Sequence, residues 1–332
     1  MSEPLISLEA KEAPKRIAEQ LEENDHATDK LGSHLKLMKP RYIYIVGRGS
    51  SDHAGTFAKY LFEIETGIPV ASAAPSVTSI YGKKLNLDKA LVLVISQSGR
   101  SPDILAQAEM AKQSGAFVVA LVNDENSPLC DITDAVLPLK AGEQNAIGAT
   151  KSLLTTLSAL LQFAAKWSSN KELRRSIYDL PELLEQSIKA PSIIQPELLT
   201  DVKDCAILGR GFGYAVAREV AIKLVGLCGI HAEPFSSAEF LHGGVSLIEQ
   251  NITVLNTLIQ DESFKSHMAQ VRQFEQRGVS LHHIKQPFKK IPPRFAPLTV
   301  LQRFYLDLPE IAKARGIDPD NPPGIQKITR TL

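Results

Sequence analysis

The chain has 332 residues, 44% of them hydrophobic and 22% charged, and its 37 basic and 37 acidic side chains cancel. That balance fits a globular protein of about two domains and lacks the positive surplus of a nucleic-acid binder. No run approaches the roughly 20 apolar residues of a membrane span, the opening MSEPLISLEAKEAPKR has no apolar signal core, and Cys130, Cys205 and Cys228 are odd in number with no metal-like spacing, so the expectation is a cytoplasmic protein with no nucleic-acid or membrane partner.

Residues 5–38 read as helical, with Ile17, Leu21, Leu31 and Leu35 among many charges. YIYIV (42–46) reads as a strand, followed by the tight turn Gly47-Arg48-Gly49-Ser50-Ser51 and a helix with apolar residues at 54, 57, 58, 61 and 62. LVLVI (91–95) is the apolar run of a buried parallel strand. It leads straight into Ser96-Gln97-Ser98-Gly99, after which Ser101-Pro102-Asp103 opens a helix over 102–114. Strands at 116–122 and around 135–139 and a long helix from about 150 to 167 complete an alternating α/β pattern. The pattern predicts a doubly wound, mainly parallel sheet flanked by helices.

Ligands of such sheets bind beyond the carboxyl ends of the strands. Three serines, an amide and a helix start at that place can hold a phosphate dianion without any cation. The competing reading of the same stretch is an ordinary serine-rich turn.

The pattern then restarts. DCAILG (204–209) reads as a strand, Arg210-Gly211-Phe212-Gly213 as a second glycine turn, 214–228 as a helix and ITVLNTLI (252–259) as a strand. Gly47-Arg48-Gly49 recurs as Gly209-Arg210-Gly211, and the reading is a duplicated unit. The expected divisions are a helical arm over 1–29, a first domain over 30–170, a polar linker over 171–196 and a second domain over 197–332. In the second half Gln260-Asp261-Glu262-Ser263 stands where the first has Ser-Gln-Ser-Gly. Two carboxylates repel a phosphate, so only the first half is expected to bind one.

Glu219 and Lys223 are four apart on one helix face. An exposed i,i+4 pair is the common outcome, but apolar neighbours on both sides point to a buried helix, where a charged pair needs a reason. His242 precedes two glycines, which permit close approach of a ligand, although a hydrogen-bonded loop histidine reads the same way. His231, His282 and His283 lack such a setting. The C-terminal DPDNPPGIQK has neither period and carries Lys327 among small and apolar residues.

Together these segments resemble the double sugar-isomerase (SIS) domain family, over about residues 30–332. The likeness is to the isomerase half of glucosamine-6-phosphate synthase and to the stand-alone deaminases and deglycases related to it. The resemblance implies two tandem SIS domains. Gly49, Ser50 and Ser51 match the first phosphosugar turn, Ser96, Gln97, Ser98 and Ser101 the phosphate cradle, and Ala149 and Thr150 the loop that contacts the sugar. Glu219 and Lys223, followed by Ile230-His231-Ala232-Glu233, match the catalytic-helix pattern. His242 matches the ring-opening histidine and Lys327 the active-site tail. Neither metal nor cofactor is implied. A homodimer with shared active sites is implied, His242 reaching the neighbour's phosphate site.

Three departures qualify the likeness. No glutaminase domain is expected before residue 30, and position 2 is Ser2, so ammonia from glutamine is not expected. Gly226 stands where the synthase has a proton-transferring glutamate. The first turn, Arg48-Gly49-Ser50-Ser51-Asp52-His53, carries more charge than the synthase pattern. The resulting expectation is a glucosamine-6-phosphate deaminase with Glu219 as base and His242 as ring-opening group. The alternative is a fructosamine-6-phosphate deglycase or another ketose/aldose phosphosugar isomerase.

Overall fold

The computed structural model describes residues 3–250 and 252–325. They form two compact units. One comprises Ala13–Gln144 and Lys151–Pro181. The other takes, among the described residues, those up to Glu12, Asn145–Thr150 and residues 182–325.

The N-terminal helical run is two helices, α1 (Leu5–Glu23) and α2 (Asp25–Met38), which meet at Asn24. Asn24 is buried and donates from Nδ2 to the Pro138 carbonyl at 2.8 Å, tying down the junction. The expected arm over 1–29 is not peripheral. Ile6, Ala10, Ala13, Ile17 and Leu21, at helical spacing, are each at most 1% exposed.

In the first unit follow β1 (Tyr42–Val46), α3 (Ser50–Thr66), β2 (Val70–Ser72), the single turn α4 (Ser76–Ser79), β3 (Ala90–Ser96), α5 (Pro102–Gln113), β4 (Phe117–Val122), α6 (Pro128–Ile132), β5 (Ala135–Pro138), α7 (Lys151–Trp167) and α8 (Lys171–Ser176). The five strands form one parallel sheet in the order β2-β1-β3-β4-β5. All seven residues of β3 are buried, as expected of a central strand covered on both faces. Helix α7 is buried along its whole length, and Lys166 near its end is neutralised by Asp25 at 2.5 Å.

Helix α9 (Leu180–Lys189) precedes the second sheet. With α8 it shows that the expected linker over 171–196 is largely helical. Then come β6 (Asp204–Gly209), α10 (Phe212–Cys228), β7 (His231–Ser236), α11 (Ser237–Phe240), β8 (Thr253–Thr257), α12 (Phe264–Glu275), β9 (Leu281–Ile284) and α13 (Ala296–Ala314). The sheet is again parallel, in the order β7-β6-β8-β9.

The two sheets correspond in register. Val46 pairs with Val94 and Leu208 with Asn256, so both partners are displaced by 162 positions (208 − 46 and 256 − 94). The glycine turns are displaced by the same amount. The layer between sheet and helix differs, however. Val94 and Leu105 belong to the apolar core of the first unit, whereas the matching positions hold Asn256 and His267, 0% and 2% exposed.

Candidate active site

In the first unit β1 and β3 are sheet neighbours whose following helices leave from the same carboxyl edge, where the strand order reverses. This is the crevice in which open α/β sheets bind ligands. The turn after β1 needs its glycines. A Cβ on Gly47 would lie 2.9 Å from the Ser51 backbone, and Gly49 has φ +54°. Helix α3 starts at Ser50, directly behind that turn, with Ser51 N donating to the Arg48 carbonyl at 3.0 Å.

The turn after β3 is held by its own serines. Gly99 N donates to Ser96 Oγ at 3.1 Å and Arg100 N to Ser98 Oγ at 3.3 Å. Gly99 has φ +62°, and a Cβ there would lie 2.1 Å from Ser127 Oγ. Ser101 is the N-cap residue of α5 in extended conformation, yet its side chain makes no capping bond. The first turn of α5 therefore opens at that edge without a side-chain cap from Ser101. The structure brings Gly49, Ser50, Ser51, Ser96, Gln97, Ser98 and Ser101 to the ends of two adjacent strands.

The sequence reading missed the ion pair that ties these turns together. Arg48 Nε lies 2.9 Å from Asp103 Oδ2, and the Asp103 side chain is fully buried at the head of α5. A carboxylate at that helix start would oppose a bound anion, and Arg48 neutralises it. Spacing gave no signal, because the partners are 55 residues apart. Arg100 forks onto Asp124 beside the turn and holds that carboxyl below the usual carboxylate range.

The second sheet carries a different arrangement at the same edge. Gly211 repeats the backbone of Gly49, with φ +54° and ψ −129° against +54° and −130°. A Cβ on Gly49 would meet nothing within 4 Å, whereas one on Gly211 would lie 2.9 Å from Ser263 Oγ and 3.2 Å from Asp261 Oδ2. Asp261 accepts from Ser263 N and Oγ at 2.8 and 2.6 Å, and Glu262 is gripped by Arg294 at 2.8 and 2.9 Å. Side chains, including a carboxylate, fill the space that is open over the first turn.

Helix α10 holds the charged pair read from the sequence, and the buried alternative is the one observed. Glu219 is 0% and Lys223 6% exposed, with Lys223 Nζ 2.9 Å from Glu219 Oε1. Tyr305 of α13, which sequence reasoning missed, donates from Oη to the same oxygen at 3.1 Å. Burial raises the Tyr305 phenol well above its usual range, so it stays protonated. Nothing in the local sequence marks it among seven tyrosines.

Further along α10, a Cβ on Gly226 would lie 3.0 Å from Ile325 Cδ1 of the C-terminal segment. The segment thus occupies the space that a longer side chain at 226 would need. Lys327 lies outside the described residues. Thr150 is fully buried with no hydrogen-bond partner for Oγ1 among the described residues, and Ala149 is half-buried beside it. Their segment is anchored by Glu9, whose Oε1 accepts from Ala146 N at 3.0 Å and also from Asn145 N.

His242 is exposed in the turn after α11, its N–H donating to the Glu239 carbonyl at 2.9 Å. His231 does not continue a helical pattern. It opens β7 and pairs with Asp204 at 3.0 Å on the solvent-exposed amino edge of the sheet. His282 and His283 diverge, one to Ser280 and the other to Asn256. Cys205 and Cys228 are buried, which pushes both thiols up to about 12 and removes them as nucleophiles.

Comparison with known proteins bears on the family and the fold. A family model described as the SIS domain matches residues 36–166. The glutamine–fructose-6-phosphate aminotransferase [isomerizing] of Pyrococcus horikoshii is 30% identical over 335 residues, covering 95% of this chain and 56% of that protein. The chain spans about half the length of the curated relatives it matches. A crystal structure from Silicibacter pomeroyi DSS-3, provisionally assigned as a phosphosugar isomerase, superposes with TM-score 0.88 at 33% identity over 96% of this chain and all of that one. The C-terminal domain of glucosamine-fructose-6-phosphate aminotransferase from Francisella tularensis shares the fold, with TM-score 0.84 at 22% identity over 97% of this chain and 99% of that one. The single SIS match falls on the first sheet, and on these likenesses the chain belongs to the SIS-domain family.

Proposed function

We propose that the chain is a phosphosugar enzyme of the aminosugar type, a glucosamine-6-phosphate deaminase. The observation that carries the phosphosugar part is the contrast between the two glycine turns. The one at Gly49 is open, beside the serine-rich turn of the neighbouring strand, while the one at Gly211 is filled by Asp261 and Ser263. The phosphate then sits on Ser51, Ser96, Gln97, Ser98 and Ser101, with Gly49 and Ser50 shaping the turn. The second sheet, which repeats the register of the first, is read as a second SIS domain that supplies acid–base groups in place of a phosphate site.

The reaction takes glucosamine 6-phosphate and water to fructose 6-phosphate and ammonium. The pyranose opens by proton exchange at the ring oxygen, for which His242 has a suitable side chain. A proton leaves C2 as the C1 carbonyl oxygen gains one, giving a 1,2-enolamine; C1 then takes a proton as the nitrogen loses one, which leaves a C1 hydroxymethyl group and a C2 imine. Water adds to C2, and the C–N bond breaks as ammonia takes a proton. Glu219 is the base in this scheme, Lys223 fixes its charge, and Ala149, Thr150 and Lys327 contact the sugar. Proton transfer assists each making or breaking of a C–O or C–N bond, and no step changes the overall oxidation level. The assembly proposed is a cytoplasmic homodimer in which His242 serves the partner's phosphate site.

A ketose/aldose isomerase or fructosamine-6-phosphate deglycase is the second reading. It is favoured by the isomerizing activity named for the P. horikoshii relative, whereas Gly226, which stands in place of a proton-transferring glutamate, counts against synthase-like isomerisation. One assay separates them. The purified chain is given glucosamine 6-phosphate, hexose 6-phosphates and fructosamine 6-phosphates, and ammonium, free amine and sugar products are measured. Equal ammonium and fructose 6-phosphate from glucosamine 6-phosphate supports deamination. Interconversion of hexose phosphates without ammonium supports isomerisation, and amine release from fructosamine 6-phosphates supports deglycation.

A further inference from the structure

We propose that Tyr305 is a positioning residue for the Glu219 carboxylate, holding Oε1 against Lys223 so that the carboxylate keeps one orientation for proton transfer. The inference deepens the reading of Glu219 as the base and rests on it. Tyr305 Oη and Lys223 Nζ reach the same oxygen, at 3.1 and 2.9 Å. An i,i+4 lysine on the same helix restrains a glutamate along that helix only. A donor from α13, 86 residues further on, fixes it from a second direction.

The cost of burying the hydroxyl makes this placement informative. Tyr305 is fully buried, and phenylalanine would fill the same space without a polar atom. A buried phenol is tolerated where it finds a partner, and here the partner is a carboxylate. Among the described residues, the strands packed on α10 add neither a buried phenol nor an ion pair to Glu219 beside that of Lys223. Asp204 on β6 and His231 and Glu233 on β7 are exposed, Cys205 on β6 is an un-ionised thiol, and β8 has no titratable side chain. At Gly226 the helix carries no side chain, and Ile325 lies over it.

Tyr305→Phe keeps the ring and removes the donor. The expected result is a kcat lower by about 10–100-fold, the range for a lost hydrogen bond to a charged group, with KM within about threefold. The acid limb of the kcat–pH profile moves to higher pH, because a carboxylate that loses a donor holds its proton more tightly. A ring-fluorinated tyrosine placed at 305 is a more acidic donor and moves the limb the other way. A purely structural role would lower activity and Tm and leave the limb in place, and an unmoved limb in both proteins overturns the proposal. Substrate-free infrared titration of the Glu219 carboxyl, isolated by difference from Glu219→Gln, separates this inference from the functional reading. If wild type acts on no phosphosugar while this titration shifts as described, the functional reading fails and the role of Tyr305 in holding Glu219 stands. If the titration does not shift in either the phenylalanine or the fluorinated protein, the proposal fails whatever the activity.

Discussion

His267 gives the second unit an acid-sensitive core. It replaces an apolar position of the first unit and is 2% exposed, and neither ring nitrogen has a hydrogen-bond partner among the described residues. Burial, and next the positive charge of Arg210, lower its imidazole from 6.5 to about 4. The Thr257 backbone favours the charged form slightly without forming a bond of good geometry. The unfolded imidazole takes up a proton near pH 6.5 and the folded one only near 4, so between those values the unfolded state binds more protons. Stability is therefore full above pH 6.5, falls as pH drops toward 4, and loses no more from this group below that. With 1.36 kcal/mol per pKa unit, the full loss is about 3 kcal/mol and the loss at pH 5 about 2 kcal/mol. His267→Leu installs the residue found at 105 and should abolish this component. The measurement is urea unfolding of both proteins at pH 7 and pH 5, followed by hydrogen exchange of α12 amides. Fluorescence is unsuitable because Trp167, the one tryptophan, lies in the first unit. Equal loss of stability on acidification in wild type and variant would refute the argument.

Ser98→Ala should raise KM for the phosphorylated sugar by about 10–100-fold through loss of one bond to a charged group, with kcat little changed; steady-state kinetics would show it, and an unchanged KM removes Ser98 from the cradle. Gly99→Ala should impair the same turn more severely, since its φ is +62° and its Cβ would strike Ser127; isothermal titration with the phosphosugar checks this, and normal affinity contradicts it. Glu219→Gln should lower kcat by about 10²–10⁴-fold with little change in substrate affinity, and near-normal turnover would move the base elsewhere, first to His242 or Lys327. Mixing Ser96→Ala/Ser98→Ala protein with His242→Ala protein should restore activity if sites are shared across a dimer, and no recovery after demonstrated subunit exchange would mean that each site is built from one chain.

The elements with strong local signals were legible in the sequence. The apolar runs at 42–46, 91–95 and 204–209 are strands within a residue of their expected limits, because a central parallel strand is apolar throughout and needs no context to be recognised. The glycine turns were legible because Gly47 and Gly49 each answer a steric demand that other residues cannot meet. Of the edge strands, β5 was legible near 135–139 and three others were not. β2 has three residues, β7 contains Pro234 and β9 reads Leu-His-His-Ile, and each is a strand only because a neighbour supplies its hydrogen bonds. The phosphate turn was readable from Ser96 to Ser101, since its chemistry is local. Tyr305 on Glu219 and Arg48 on Asp103 join residues 86 and 55 positions apart, and tertiary packing alone decides such pairs. The sequence also left open whether the Glu219–Lys223 pair faces water. Only the packing of α10 between α13 and the strands of its sheet decides that it is buried, with Tyr305's hydroxyl bonded to the same carboxylate.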